Sequence, residues 1–403
     1  MKLLGPFTQI VTLRGLPEKG VLKDEALEVI KDGGVLLHNG RIQAVGGFES
    51  LVKMYPEATV EEITQPTVLL PSFVDCHTHT CFAGSRANDF AARNAGKTYL
   101  EIAAAGGGIW SSVSQTRACD EQTLFELTLG RVERLLQQGI KTLEIKSGYG
   151  LDLENELKML RVIGRVQQFF HSKARIVPTC LAAHIKPKDF EGSQEAYLEW
   201  ITAELLPQIR TEQLSQRVDI FVEQSAFGLA ESRQFLQKAK ALGFDLTVHA
   251  DQFTAGSSTL AVEMGALSAD HLEASTEKEI HALAQSDTVA VVLPGASLGL
   301  GEPFAPARKL LDAGACVAIA SDFNPGSAPM GDLLTQAAIL ATYQKLSTAE
   351  VLAGLTFRAA KALKLTEVGR IETGYSVDLQ GYACADCREV LYQQGRLKPY
   401  GVW

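Results

Sequence analysis

Residues 67–80 read TVLLPSFVDCHTHT, an apolar, β-branched run that ends in an H-x-H pair. Such a run reads as a buried strand. The period of two along a strand turns His77 and His79 to one side and Cys76 and Thr78 to the other. Seven more candidate strands follow: KTLEIK (141–146), ARIVPT (174–179), VDIFVE (218–223), FDLTVHA (244–250), LSADH (267–271), TVAVVLP (288–294) and ACVAIAS (315–321). Between them, segments such as LENELKMLRVIGRVQQFF (153–170), SRQFLQKAKALG (232–243) and EKEIHALAQS (277–286) repeat apolar residues at helical spacing. Two further helical patterns lie near 331–344 and 348–363. Eight strands alternating with helices predict an α/β fold, a closed (β/α)8 TIM-like barrel over residues 66–372.

The two ends of the chain read differently. GGVLLHNGRIQAVGG (33–47) contains two alternating strands around Asn39-Gly40, a strong hairpin signal. From about Gly374 the sequence again shows short strand-like runs and a Gln394-Gly395 turn. Neither end has enough apolar surface to fold alone, so residues 1–65 and 373–403 are expected to build one small β-sandwich domain together.

The 403 residues are 46% hydrophobic and 21% charged, ordinary globular usage that suits a large buried core. A formal net charge of -9 argues against nucleic acid as a partner, because phosphate backbones require a basic face. MKLLGPFTQI lacks a sustained apolar core, and no stretch approaches the roughly 18 to 20 apolar residues of a membrane span, so no membrane partner is expected. Seven scattered cysteines do not resemble a disulfide framework and suggest a reducing cytoplasm; Cys384-x-x-Cys387 has no second pair to complete a zinc site.

Barrel enzymes carry their chemistry at the carboxyl ends of the strands. Here those ends hold His77 and His79, Lys146 and Tyr149, His184, Glu223, His249, His271 and Asp322, so that five of the eight histidines share one face. Imidazole and carboxylate suit zinc or iron, and His77, His79, His249 and Asp322 make a four-residue ligand set for one divalent metal per chain, Zn2+ or Fe2+/Fe3+. Glu223 could bridge a second metal or merely hydrogen-bond a neighbour, and Lys146 could be carbamylated to hold two metals; a single metal is favoured. Arg86, in FAGSR, offers a planar fork for a substrate carboxylate. The loop NPGS after Asp322 offers Asn324, Gly326 and Ser327 to a small polar ligand. Gly106–Gly108 shapes a loop rather than cradling phosphate, since no Lys-Ser/Thr follows it.

With these residues in place, the chain resembles the imidazolonepropionase family of the amidohydrolase superfamily. The passages that carry the resemblance are HTHTCFAGSRANDF, YLEIAAAGGGIWSSVSQTR, EIKSGYGLDLENELKML, VHADQ, SADHLE, VAVVLPGA and SDFNPGS. The resemblance implies hydrolysis of the cyclic amide of 4-imidazolone-5-propionate to N-formimidoyl-L-glutamate by metal-activated water. It implies metal binding by His77, His79, His249 and Asp322, and substrate contacts from Arg86, Tyr149, His184, Gln252, Asn324, Gly326 and Ser327. Catalytic roles fall to Asp322, accepting a proton, and His271, hydrogen-bonding the developing oxyanion. Some family members carry Glu where this chain has Gln252, and CLAAHIKP around His184 departs from the more usual GAHAVP. The alternative is another superfamily enzyme, such as an aminohydrolase that deaminates a heterocycle, although a neutral base would have no use for the Arg86 clamp. The expected partner is a small molecule carrying a carboxylate, and the expected assembly a homodimer.

Overall fold

In the computed structural model, which describes residues 1–98, 101–102 and 105–403, the chain builds two sheets. Tyr99, Leu100, Ala103 and Ala104, inside the YLEIAAAGGGIWSSVSQTR passage, lie outside the described residues. From the N-terminus, β1 (Lys2–Val11), β2 (Val29–His38), β3 (Arg41–Gly47), β4 (Thr59–Glu62) and β5 (Val68–Pro71) belong to a seven-stranded sheet. Then come β6 (Phe73–Asp75), β7 (Ile140–Lys146), β8 (Arg175–Ala183), β9 (Arg217–Phe221), β10 (Asp245–Ala250), β11 (Ser268–His271), β12 (Val289–Val292) and β13 (Val317–Ile319). Finally β14 (Leu379–Tyr382) and β15 (Gly401–Val402) return to the first sheet, where β14 pairs with β5.

The eight strands β6 to β13 are parallel, and each pairs with the next in sequence order. The sheet closes just beyond its first and last strands, where Thr78 bridges Phe323 and the amide of His79 donates to the Phe323 carbonyl at 2.9 Å. The expected barrel is therefore present. Helices cover it as their sequences dictate. In Leu153–Phe169, Asp152 caps the N-terminus by accepting from the Asn155 amide, and Leu157, Leu160, Ile163 and Val166 form the buried stripe.

Three readings need correction. The run 67–75 is not one barrel strand: its first half is β5 in the other sheet, and only Phe73–Asp75 enters the barrel. The change comes at Pro71-Ser72, where the Ser72 amide leaves for the Asp378 carbonyl at 2.8 Å. Both halves are wholly buried, so an apolar run alone cannot reveal the switch. The helical pattern 348–363 divides into Thr348–Gly354 and Phe357–Ala362, with non-helical backbone at Thr356. The eighth strand is three residues long rather than seven.

In the first sheet, Asn39 and Gly40 both take positive φ (48° and 72°), as a two-residue hairpin turn requires. One face buries Leu4, Phe7, Ile10, Val35, Leu69 and Leu379, while Leu3 and Leu36 face the opposite way, against Leu51 of the helix Phe48–Met54. The sheet draws on both ends of the chain, and β5, continuous with β6, fastens it to the barrel.

Candidate metal centre and active site

The carboxyl ends of the barrel strands open into a cavity of about 600 Å³. Of the residues singled out from sequence, His79, Arg86, Tyr149, His184, Glu223, His249, Gln252, His271, Asp322, Asn324, Gly326 and Ser327 line it. His77 lies beneath, fully buried, with its ring 5.3 Å from that of His79 and 4.5 Å from that of His249.

Nitrogens and one oxygen converge at this point. His249 Nε2 is 3.3 Å from His79 Nε2, and Asp322 Oδ1 is 3.4 Å from His79 Nε2 and 3.5 Å from His77 Nε2. Four donors placed tetrahedrally about 2.05 Å from one ion would stand about 3.3 Å apart. His77 Nε2 is buried without a hydrogen-bond partner among the described residues, the condition of a ligand atom aimed at an ion. The set thus fits a divalent metal. His271 also comes close enough to form a group with His77 and His249.

Burial keeps the candidate histidine ligands neutral, as ligation requires. It drives His77 and His79 well below the ordinary histidine range and His249 down to about 3, the last against the pull of Asp219. His271 is different: burial opposes its charge, but Glu273, Asp322 and Asp270 outweigh it and raise its proton affinity. Desolvation lifts Asp322 to about 6. Its Oδ2 accepts from Asn324 Nδ2 at 2.9 Å and Ser327 Oγ at 3.3 Å, which leaves Oδ1 for the histidines.

Behind the candidate ligands lies a layer that the strand ends alone do not reveal. Asp270 Oδ2 is 2.6 Å from His77 Nδ1, and Asp219 Oδ2 is 2.9 Å from His249 Nδ1, so each ring has its Nδ1 turned to a carboxylate and its Nε2 to the centre. Lys146 Nζ sits 2.8 Å from Asp219, 2.7 Å from Glu144 and 4.0 Å from Asp270. Burial disfavours its charge, yet Asp219, Glu144 and Asp270 hold the ammonium above its ordinary range. Carbamylation needs the free amine, so this environment works against the two-metal reading of Lys146. Asp270, farther from the ammonium, is pushed up to about 7 by desolvation, whereas Asp219, against His249 and in contact with the ammonium, lies below the usual carboxylate range despite its burial. A signal did exist: Asp219 and Asp270 are acidic residues that fall inside strands β9 and β11 rather than in the loops.

Glu223 is occupied elsewhere. Its carboxylate accepts from the amides of Phe253 at 3.0 Å and Thr254 at 3.1 Å and from the Thr254 hydroxyl, which fixes the loop after β10. Arg86 donates through Nε to Asp89 at 2.7 Å, and its Nη1 lies so close to Gly326 that a Cβ there would meet it at 2.7 Å. Asp89 in turn accepts from the Gly108 amide at 2.8 Å, and a Cβ on Gly107 would strike its carboxylate at 2.5 Å. The triple glycine is therefore the support of the Arg86–Asp89 pair, and no phosphate site. Arg93, which sequence reasoning passed over, also lines the cavity and donates to the Gly299 carbonyl at 2.6 Å.

Residues 68–382 match the profile of the Amidohydrolase family. The imidazolonepropionase of Symbiobacterium thermophilum is 41% identical over 379 residues, 92% of this chain and 88% of that protein. That of Myxococcus xanthus is 44% identical over 327 residues, 81% of this chain and 77% of that protein. Among solved structures, an adenosine deaminase from Xanthomonas campestris with bound zinc shares the fold, with a TM-score of 0.69 at 20% identity, covering 100% of this chain and 91% of that one.

Proposed function

The chain belongs to the amidohydrolase family and, within it, to the imidazolonepropionases, and from that premise we infer that it hydrolyses the cyclic amide of 4-imidazolone-5-propionate to N-formimidoyl-L-glutamate, a step of histidine degradation. It is a hydrolase acting on a carbon–nitrogen bond. The observation that carries the reading to this substrate is the pairing, in one cavity, of a carboxylate clamp, Arg86, with the converging atoms of His79, His249 and Asp322.

His77, His79, His249 and Asp322 would hold one zinc or iron ion. When bound, such an ion supplies Lewis acidity, making water nucleophilic near neutral pH and polarising the amide carbonyl. The chain's own groups do the rest. Arg86 orients the propionate through its planar fork, and Tyr149, His184, Gln252, Asn324, Gly326 and Ser327 surround the ring. Gln252 cannot act as a base. That duty suits Asp322, a carboxylate that lines the cavity beside the candidate histidine ligands. As water adds to the ring carbonyl carbon, Asp322 takes its proton, and His271, whose Nδ1 lies 3.5 Å from Glu273 Oε2, hydrogen-bonds the oxyanion. The carbon–nitrogen bond then breaks, the proton passes to the departing ring nitrogen, and the new carboxylate ionises.

The proposed partner is this small anion, and the proposed assembly a homodimer in the cytoplasm, to which seven free cysteines are suited. No helix among the described residues is long and apolar enough to cross a membrane. Incubation of purified protein with 4-imidazolone-5-propionate, following loss of its ultraviolet absorbance, tests the activity; elemental analysis tests the stoichiometry. Absence of turnover by metal-replete protein would sink the reading, and two metal equivalents per chain would return Glu223 or Lys146 to a bridging role.

A further inference from the structure

Glu156 sits in the first turn of the helix Leu153–Phe169, fully buried and outside the cavity lining. Its Oε1 accepts three backbone amides, from Gly148 at 3.1 Å, Gly150 at 2.8 Å and Leu151 at 2.9 Å. Converging amides of this kind form an anion-binding nest, and the helix N-terminus adds favourable potential. Here the chain fills the nest with its own carboxylate. The loop so gripped, Ser147–Leu151, carries Tyr149 to the cavity, with its ring 6.0 Å from His79 and 5.5 Å from His184. The same loop orients His184, whose Nδ1 is 2.9 Å from the Gly148 carbonyl.

The loop's shape needs such a hold. Gly148 and Leu151 take φ of 107° and 57°, and a Cβ at Gly150 would meet the Glu156 amide nitrogen at 2.4 Å. The Tyr197 hydroxyl donates to the carbonyls of Leu151 and Ala182, each at 3.1 Å, and ties the loop to β8.

We propose that Glu156 is a positioning residue for the substrate: by fixing the loop Ser147–Leu151 it sets the placement of Tyr149 and His184, and through them the affinity for the ring. This rests on the proposed function, since the ligand concerned is the substrate named there. Glu156 touches neither the ligand nor the metal-site residues, so its effect falls on binding.

The test compares Glu156→Ala and Glu156→Gln with the wild type. A displacement of about 1 Å at a positioning group can cost on the order of 10²-fold. Glu156→Ala is expected to raise KM for 4-imidazolone-5-propionate at least about tenfold, with kcat changed far less and metal content unaltered. Glu156→Gln keeps an acceptor oxygen in place and is expected to recover most of that loss. A merely structural carboxylate would lower the melting temperature and leave KM of the folded fraction unchanged, and that result overturns the proposal. Should Glu156→Ala fail to fold, amide exchange in the wild type decides. Protection of the Gly148, Gly150 and Leu151 amides supports the grip, and exchange as fast as in exposed loops overturns it. Wild-type turnover reports on the functional reading alone, so the two failures are distinguishable.

Discussion

His249 and His271 end neighbouring strands with their rings 5.3 Å apart, yet their environments divide the work. His249 has its Nδ1 against Asp219 and its proton affinity pushed down, while His271 faces Glu273 and has its proton affinity raised. His249→Asn is expected to lose metal, because one of the four proposed ligands is gone. His271→Asn is expected to keep its metal and nearly its KM, with kcat lower by roughly 10²-fold or more. Metal content and steady-state rates of the two variants check this, and a reversed pattern would exchange the roles. Arg86 makes the complementary case. Arg86→Met removes a charge-assisted clamp, which typically costs about 2 to 4 kcal/mol, and should raise KM tens to hundreds of fold at unchanged metal content. An unchanged KM would place the carboxylate elsewhere.

At the scale of elements, the cavity wall depends on packing that leaves no room for a methyl group. The helix Pro294–Leu300 lies against the loop after β13, and a Cβ on Gly299 would come 1.5 Å from the Ser327 carbonyl oxygen. Backbone on both sides would have to move. Gly299→Ala is therefore expected to cost about 1 to 3 kcal/mol of stability, as overpacking does. It should also raise KM by displacing Asn324, Gly326 and Ser327. Thermal melts with steady-state kinetics check both, and a variant normal in each would mean that the loop yields freely. The backbone at His271 and Asp322, with φ of 89° and 52°, shows the same tight control, for such angles persist only where the surroundings impose them.

For the whole molecule, the question is how two sheets from separated stretches of chain become one body. The last residues answer part of it. Trp403 packs edge-on against Phe7 with ring centroids 6.0 Å apart and donates to Glu61 at 3.0 Å, and Lys141 of β7 donates to its carbonyl at 2.7 Å. Deletion of residues 400–403 removes β15 and these links together. It is expected to cost about 3 to 5 kcal/mol, the range for loss of a packed aromatic, and to lower the melting temperature while metal content per folded chain holds. Calorimetry with metal analysis checks this; loss of metal as well would mean that the terminal strand supports the barrel mouth directly.

The strand and helix periods, the order of the eight strands and the residues at their carboxyl ends were legible in the sequence, because each depends on neighbours a few positions away. From these alone came the barrel, with His77, His79, His249 and Asp322 as candidate ligands and Arg86 as the candidate clamp. The division of the run 67–75 between two sheets was not legible, since both halves are equally apolar and their fate turns on a partner at Asp378. Nor were Asp219 and Asp270, or the pairing of Lys146 with them. Asp270 meets His77 across 193 residues of chain, a contact that exists only once the barrel has closed. Local chemistry marked the candidate ligands, and closure decided which carboxylate meets the rings of His77 and His249.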